Sequence, residues 1–391
     1  MRGLNGSVRK KGASWSFRVD LGKIDGKRKQ IERSGFKTEK EANAALSEVL
    51  NEIYKTGVFT ENKKVTFQQA YDEFLENEAP NTRKFATIVR YKSLYKNHFQ
   101  DIAPRYLFNI TDKTIQKFIN IKCETHSDEY VRSIYNFFHV IFNYAVAKKY
   151  LKVSPMANVH PPKSYRAYGE IKTYTKDELV KMEERFKSTN LYTAFILGRN
   201  LGVRVGECFA LRFSDIDWDK GTIKIDKQLQ FQNKVWSLVY PKTSNSVRTI
   251  KLNKGLLEYL SNLQVQYEND KNHYDLGYKI STVMDRRGKS PKLIAIDDFI
   301  NRKPSGVMLT TDSQKVLSRI CRDEMSIDFK FHNLRHTHAT MLAEKGVNPK
   351  YVQERLGHGK LEITLRYYTH VTDAMHDQVA EIVDELLNLD N

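Results

Sequence analysis

Cysteine is scarce in this 391-residue chain, and its three copies, Cys123, Cys208 and Cys321, are scattered and odd in number. That usage excludes a disulfide framework and fits free thiols in a reducing compartment. Neither a Cys-x-x-Cys nor a His-Glu-x-x-His string occurs, so no zinc site is indicated and no metal is expected. No apolar run approaches the roughly 18 to 20 residues of a spanning helix. The opening MRGLNGSVRKKGASW also lacks the apolar core of a signal peptide, which predicts a cytoplasmic protein. Internal repeats and low-complexity tracts are missing as well.

What the chain has in excess is positive charge. Its hydrophobic content of 40% and charged content of 28% are ordinary for a soluble globular protein, but a net charge of +17 with a pI near 9.5 is not. Such a surplus argues for a polyanionic partner, because each phosphate neutralised releases condensed counterions. An anionic membrane is the rival partner, and the lack of a long basic amphipathic helix argues against it. At this length two or three domains are expected.

The first 40 residues carry twelve Lys or Arg against four Asp or Glu, nearly half of the chain's excess. Within them Ser7 to Lys11, Trp15 to Asp20 and Lys27 to Arg33 read as strands, with Asp25-Gly26 as a turn. Thr38-Glu39-Lys40-Glu41 is a capping box, and Ala42, Ala45, Leu46, Val49 and Leu50 form the apolar stripe of a helix. Without a specific partner this would be a basic, solvated hairpin. Gly57 to Lys64 reads as a linker. Four helical patterns follow, at about 66–77, 82–98, 112–123 and 127–149, the last marked by Val131, Ile134, Phe137, Phe138, Ile141, Phe142 and Ala145. Lys84, Lys92 and Lys96 share one side of the second pattern and are either a phosphate-facing row or a solvated face. Pro155, Pro161 and Pro162 mark another linker, reaching to about Tyr174, and Thr175 to Glu178 caps the next helix. Residues 221–252 read as a three-stranded meander, 269–290 as a polar surface excursion, 293–296 as a short strand and 311–321 as a helix.

The densest chemistry lies in HNLRHTHATMLAEKGVNPKYVQERLGHGKLEITLRYYTH, from His332 to His370. His332 and Arg335 are three residues apart, so on a helix they share a face and can address one anion. His358 follows Gly357, a candidate helix terminus, and Tyr368 comes shortly after. Each piece alone has an ordinary reading, such as a core histidine or a salt-bridging arginine. Taken together, arginine forks, imidazoles and a phenol are what metal-free phosphoryl transfer needs: cations for the phosphate oxygens, proton handlers and a nucleophile.

This string resembles the C-terminal signature of the tyrosine recombinase, or phage integrase, family. Upstream, Gly202-Val203-Arg204-Val205-Gly206-Glu207 resembles the family's first arginine box, and Lys242 in Tyr240-Pro241-Lys242-Thr243 falls where its hairpin lysine is expected. The resemblance implies a multidomain α+β architecture: a small three-stranded sheet plus helix, an all-helical core-binding domain, and a mainly helical catalytic domain with a small antiparallel sheet. On that scheme residues 1–58 form an arm-type DNA-binding domain like those of lambda-like integrases, residues 65–153 the core-binding domain and residues 174–391 the catalytic domain.

It further implies a site-specific DNA recombinase that needs no cofactor and works through a covalent 3′-phosphotyrosyl intermediate, integrating and excising a mobile element or phage genome. By resemblance Arg204 and Arg335 grip the phosphate, Lys242 protonates the leaving 5′-oxygen, His332 assists proton transfer and His358 bonds a phosphate oxygen. Glu207 is a supporting residue that orients its neighbours, or else a plain surface carboxylate. Tyr368 is the nucleophile rather than the adjacent Tyr367, because the pattern places that tyrosine two residues before the final His370. Double-stranded DNA at core and arm sites, a homo-tetramer on DNA, an excisionase and a host DNA-bending protein are the partners implied. A type IB topoisomerase activity and a non-catalytic DNA-binding regulator are the alternatives. Met375, Val379, Ile382, Val383 and Leu386 lie on one helical face, which would pack in cis or on a neighbouring protomer.

Overall fold

The computed structural model describes residues 6–24, 27–56, 63–162, 171–241, 243–368 and 383. The chain divides into two units, 1–167 and 168–391, and each is taken by itself.

In the first unit, β1 (Gly6–Lys11), β2 (Ser14–Ile24) and β3 (Lys27–Phe36) form an antiparallel sheet in that order. Its inner face sets Phe17 and Val19 against Leu46, Val49 and Ile53 of α1 (Glu39–Thr56). The alternation of β2 sends Arg18 to the opposite face, where it lies across from Glu32 and pairs with it. The expected Asp25-Gly26 turn lies outside the described residues. Thr38 does cap α1 by accepting from the amide of Glu41, whose carboxylate reaches back to the amide of Lys37.

A second core in this unit joins α2 (Phe67–Asn77), the single turn α3 (Ala79–Thr82), α4 (Phe85–His98), α5 (Asp112–Thr125) and α6 (Asp128–Ala147). Thr66 and Gln69 complete the capping box ahead of α2. Val131, Ile134, Phe137, Phe138, Ile141, Phe142 and Ala145 of α6 are all fully buried, as their period predicts. Phe67 stacks on Phe99 with centroids 5.3 Å apart, and Phe137 and Phe138 meet both rings edge-on or tilted. Truncating one such ring to alanine typically costs about 3–5 kcal/mol. Lys92 and Lys96 are exposed on α4, and Lys84 is exposed at its N-cap.

The second unit starts with α7 (Lys176–Phe186), behind the full Thr175–Glu178 capping box, then α8 (Tyr192–Leu201) and the one-turn α9 (Val205–Cys208). Next come β4 (Ile216–Asp217), β5 (Thr222–Ile225), β6 (Gln228–Gln232), β7 (Val235–Val239) and β8 (Arg248–Lys251). The chain then forms α10 (Lys254–Tyr274), β9 (Ser281–Asp285), β10 (Lys292–Ile296), α11 (Gln314–Met325), α12 (Phe331–Glu344), α13 (Pro349–Leu356) and α14 (Leu361–Leu365).

The expected single meander is two sheets: β4-β5-β8, and β10-β9-β7-β6 with a parallel pairing of β7 and β9. The turn that joins β6 to β7, Asn233-Lys234, takes positive φ at both residues. That is the geometry of a tight two-residue hairpin, but the second residue is not the glycine that usually advertises it. The expected excursion at 269–290 is also corrected, since 269–274 complete α10 and 281–285 form β9. Its polarity reflects one solvated face of each element rather than a lack of structure. Among the described residues no helix is long and apolar enough to cross a membrane.

Candidate active site

Three separated stretches of the second unit converge: the turn from α8 into α9, the start of α12, and the loop after α13. Gly202 ends α8 in the left-handed conformation, at φ 61°. A Cβ there would come within 2.7 Å of Leu356 and 2.8 Å of His338, so the turn presses directly on α12 and α13. Arg204 precedes α9 as its N-cap, not within the helix, and the Glu207 carboxylate accepts both its backbone amide at 3.0 Å and its Nη1 at 2.8 Å. Nη2 of Arg204 donates to the carbonyl of Gly357 at 3.2 Å.

Arg335 is buried in α12 and donates through Nη1 to the carbonyl of Gly202 at 2.8 Å and through Nη2 to that of Leu356 at 2.6 Å. Burial, then Arg204 and Arg248, push its guanidinium down to about 9, which leaves it cationic near neutrality. Burial alone would raise the Glu207 carboxyl, but Arg248 and Arg204 together outweigh it and hold this group below its ordinary range. Glu207 is therefore no surface carboxylate, being 1% exposed.

The imidazoles are kept neutral. His332 is open to solvent on its outer side, yet the protein packed around its ring, and then His336, Arg335 and Arg204, push it down to about 4. Buried His358 is pushed to about 3 by desolvation and then by the surrounding arginines, and its Nδ1 pairs with the Thr364 hydroxyl at 2.8 Å. An open cleft of about 580 Å³ runs past His358, walled in part by Lys251, Lys350 and Arg355.

The two tyrosines diverge. Tyr367 is buried, bonds Nδ1 of His336 at 2.6 Å, and lies nearly parallel to the His358 ring at 6.2 Å. The hydroxyl of Tyr368 donates to the carbonyl of Val347 instead. Arg204, Glu207, His332, Arg335 and His358 are thus brought together, whereas Tyr368 is turned away from them. Lys242, His370 and four of the five apolar positions of the C-terminal segment lie outside the described residues, and the fifth, Val383, is exposed. Sequence reasoning left out Arg248, Ser246 and His336, and set Tyr367 aside in favour of Tyr368. All four contact this constellation; the four-residue spacing from His332 on one helix could have found His336, whereas no spacing rule ties Arg248 or Ser246 to the site.

Residues 172–375 match the phage integrase family, and residues 7–53 match the arm DNA-binding domain family. The chain is 28% identical over 375 residues to a tyrosine recombinase XerC-like protein of Caldanaerobacter subterraneus subsp. tengcongensis, covering 90% of each. It is 26% identical over 284 residues to the ICEBs1 integrase of Bacillus subtilis, covering 71% of this chain and 72% of that one. In fold it is similar to the Tn1549 transposon integrase solved with circular intermediate DNA, at a TM-score of 0.60 and 18% identity over 82% of this chain and 100% of the other. It is also similar to lambda integrase solved as a tetramer bound to a Holliday junction, at a TM-score of 0.57 and 18% identity over 94% and 97% of the two chains.

Proposed function

Because the chain belongs to the phage integrase family and is a tyrosine-type site-specific DNA recombinase, we propose that it integrates and excises a mobile element through the constellation around Arg335. Residues 1–58 bind arm sites, 65–153 grip core DNA and 174–391 carry the chemistry in the cytoplasm. The convergence of Arg204, Glu207, Arg335, His332 and His358 from three distant stretches is the observation that carries this reading.

Tyr368 attacks the scissile phosphorus through its phenolic oxygen, forming the O–P bond of a 3′-phosphotyrosine while the bond to the 5′-oxygen breaks. His332, neutral at physiological pH, accepts the phenolic proton, and Lys242 protonates the departing 5′-oxygen. Arg204 and Arg335 meet the two non-bridging oxygens, where charge builds in the transition state. His358, accepting from Thr364 at Nδ1, presents the Nε2 proton to one of those oxygens. Reversal by a 5′-hydroxyl of the partner duplex completes strand exchange, and four protomers on two duplexes supply the four tyrosines.

Tyr368 must leave Val347 to reach the phosphate, so DNA binding re-docks the segment after α14. The position of Tyr367 beside His358 favours a second reading, in which Tyr367 is the nucleophile. Duplex fragments from the flanks of the gene, incubated with the protein and then denatured, test both. The reading expects covalent protein–DNA adducts that Tyr368→Phe abolishes; adducts lost instead in Tyr367→Phe select the second reading, and no adduct on any flank refutes both.

A further inference from the structure

Arg248 opens β8, and its side chain is 5% exposed, too deep to meet a DNA backbone. Its guanidinium is spent in three directions. Nε donates to the carbonyl of Arg355 at 2.6 Å, Nη1 to the carbonyl of Ser246 at 2.9 Å, and Nη2 to Glu207 Oε2 at 3.0 Å. The stem is packed as tightly as the head, since a Cβ on Gly357 would lie 3.3 Å from its Cδ and 3.0 Å from Cα of Ser246. One side chain therefore joins α9, the turn before β8 and the C-terminal end of α13.

We propose that Arg248 is a positioning residue that shares the Glu207 carboxylate with Arg204 and so keeps the Arg204 guanidinium available to the scissile phosphate. This rests on the role given to Arg204 above. Glu207 receives the Arg204 amide and Arg248 on Oε2, and Arg204 Nη1 on Oε1. Half of its hydrogen-bonding capacity and charge is thereby committed away from the Arg204 head. Without Arg248, Glu207 has one cation left, and the two side chains close into a bidentate pair that occupies the donors a phosphate needs. Lysine cannot replace Arg248, because a single ammonium on a flexible stem does not span Arg355, Ser246 and Glu207 at fixed angles. The effect falls on neutralising the non-bridging oxygens, while arm and core binding are untouched.

The test is single-turnover adduct formation by the full-length protein on two duplexes, one with a scissile phosphodiester and one with a methylphosphonate, whose missing charge removes the need for the Arg204 cation. Arg248→Lys should lose roughly 100-fold on the phosphodiester, the scale of a lost preorganised donor, with DNA affinity unchanged. On either methylphosphonate diastereomer its deficit should shrink to a few-fold, as should that of Arg204→Ala, measured as the control. Arg248→Gln, which keeps a donor towards Glu207 without its charge, should show the same substrate dependence and covers the case in which Arg248→Lys does not fold. Adding Glu207→Gln, which removes the carboxylate that would close on Arg204, should restore most of the loss. If the Arg204→Ala deficit shrinks while those of Arg248→Lys and Arg248→Gln stay equal on both substrates, Arg248 is merely structural and the proposal fails. An Arg204→Ala deficit that persists on the methylphosphonate overturns the phosphate-gripping role of Arg204, and this proposal with it.

Discussion

Acid should loosen the catalytic unit through His338, a residue outside the proposed chemistry. Its Nδ1 donates to the carbonyl of Arg199 at 3.0 Å, and its Nε2 accepts from Nε of Arg355 at 3.0 Å, so a second proton has no place to sit. Burial, then the Arg355 cation, push it down to about 4 from an ordinary 6.5. The unfolded chain therefore takes up a proton near pH 6.5 that the folded one refuses until about pH 4. The stabilisation is complete above the unfolded value and is lost as pH falls towards the folded one. Linkage puts the loss between pH 7 and 5 at about 2 kcal/mol, which for a domain of 150–250 residues lowers the unfolding midpoint by about 4–8 °C. His358, pushed to about 3, adds a change of the same sign. His338→Gln offers one donor and one acceptor without titrating. Its midpoint, followed by the fluorescence of Trp218 and Trp236, should fall less between the two pH values by that amount. Parallel curves for the variant and the parent would refute the assignment.

Tyr368→Phe should abolish covalent adducts on denaturing gels while leaving DNA affinity nearly intact, and a chelator should leave cleavage unchanged. Arg335→Lys should lose roughly 10²- to 10³-fold in adduct formation, since an ammonium cannot reach a phosphate while bonding both Gly202 and Leu356; a loss under threefold would show that Arg335 only braces the fold. Deleting residues 1–60 should flatten the salt dependence of DNA binding and remove one class of site while a short core site is still cut, because the first 40 residues hold nearly half of the net charge. Unchanged binding to every fragment would show that this sheet reads no DNA. Truncation after His370 should preserve DNA binding yet prevent tetramers in sedimentation; tetramers that persist would place the terminal apolar face in cis.

What the sequence made legible was local. The period of α6, the capping boxes before α2 and α7, and the His332 to Arg335 spacing each depend on residues within a few turns of one another. What it hid depends on pairing at a distance. Gln228 to Gln232 alternates Gln with Leu229 and Phe231 over too few residues to declare itself, so only its place beside β7 makes it a strand, and only the backbone of Asn233 and Lys234 reveals the hairpin. Arg248 is similar: nothing in Ser-Val-Arg-Thr-Ile announces that the arginine will cross to Glu207, 41 residues earlier, and to Arg355, 107 later. Choosing between Tyr367 and Tyr368 is harder still, since adjacent side chains point apart and either can be swung inward by the segment that carries them.

The same constellation explains how so much positive charge is held before any phosphate arrives. Beyond the effect of burial, Arg204 and Arg248 stand close enough to depress Arg335, and among the described residues a single carboxylate, Glu207, lies between them. Two further carboxylates would neutralise them, but would also compete with the substrate. The guanidinium groups instead donate to the carbonyls of Gly202, at the end of α8, and of Arg355, Leu356 and Gly357, at the end of α13. Those carbonyls lack partners within their own helices and carry the negative end of the helix dipole, so each bond satisfies an orphan acceptor and steadies a cation at once. They hold the arginines without cancelling their charge. With the histidines neutral, three guanidinium groups and one carboxylate leave a surplus of two positive charges within the constellation, and the pentacoordinate phosphorane of the proposed strand cleavage, carrying two negative charges, would match it.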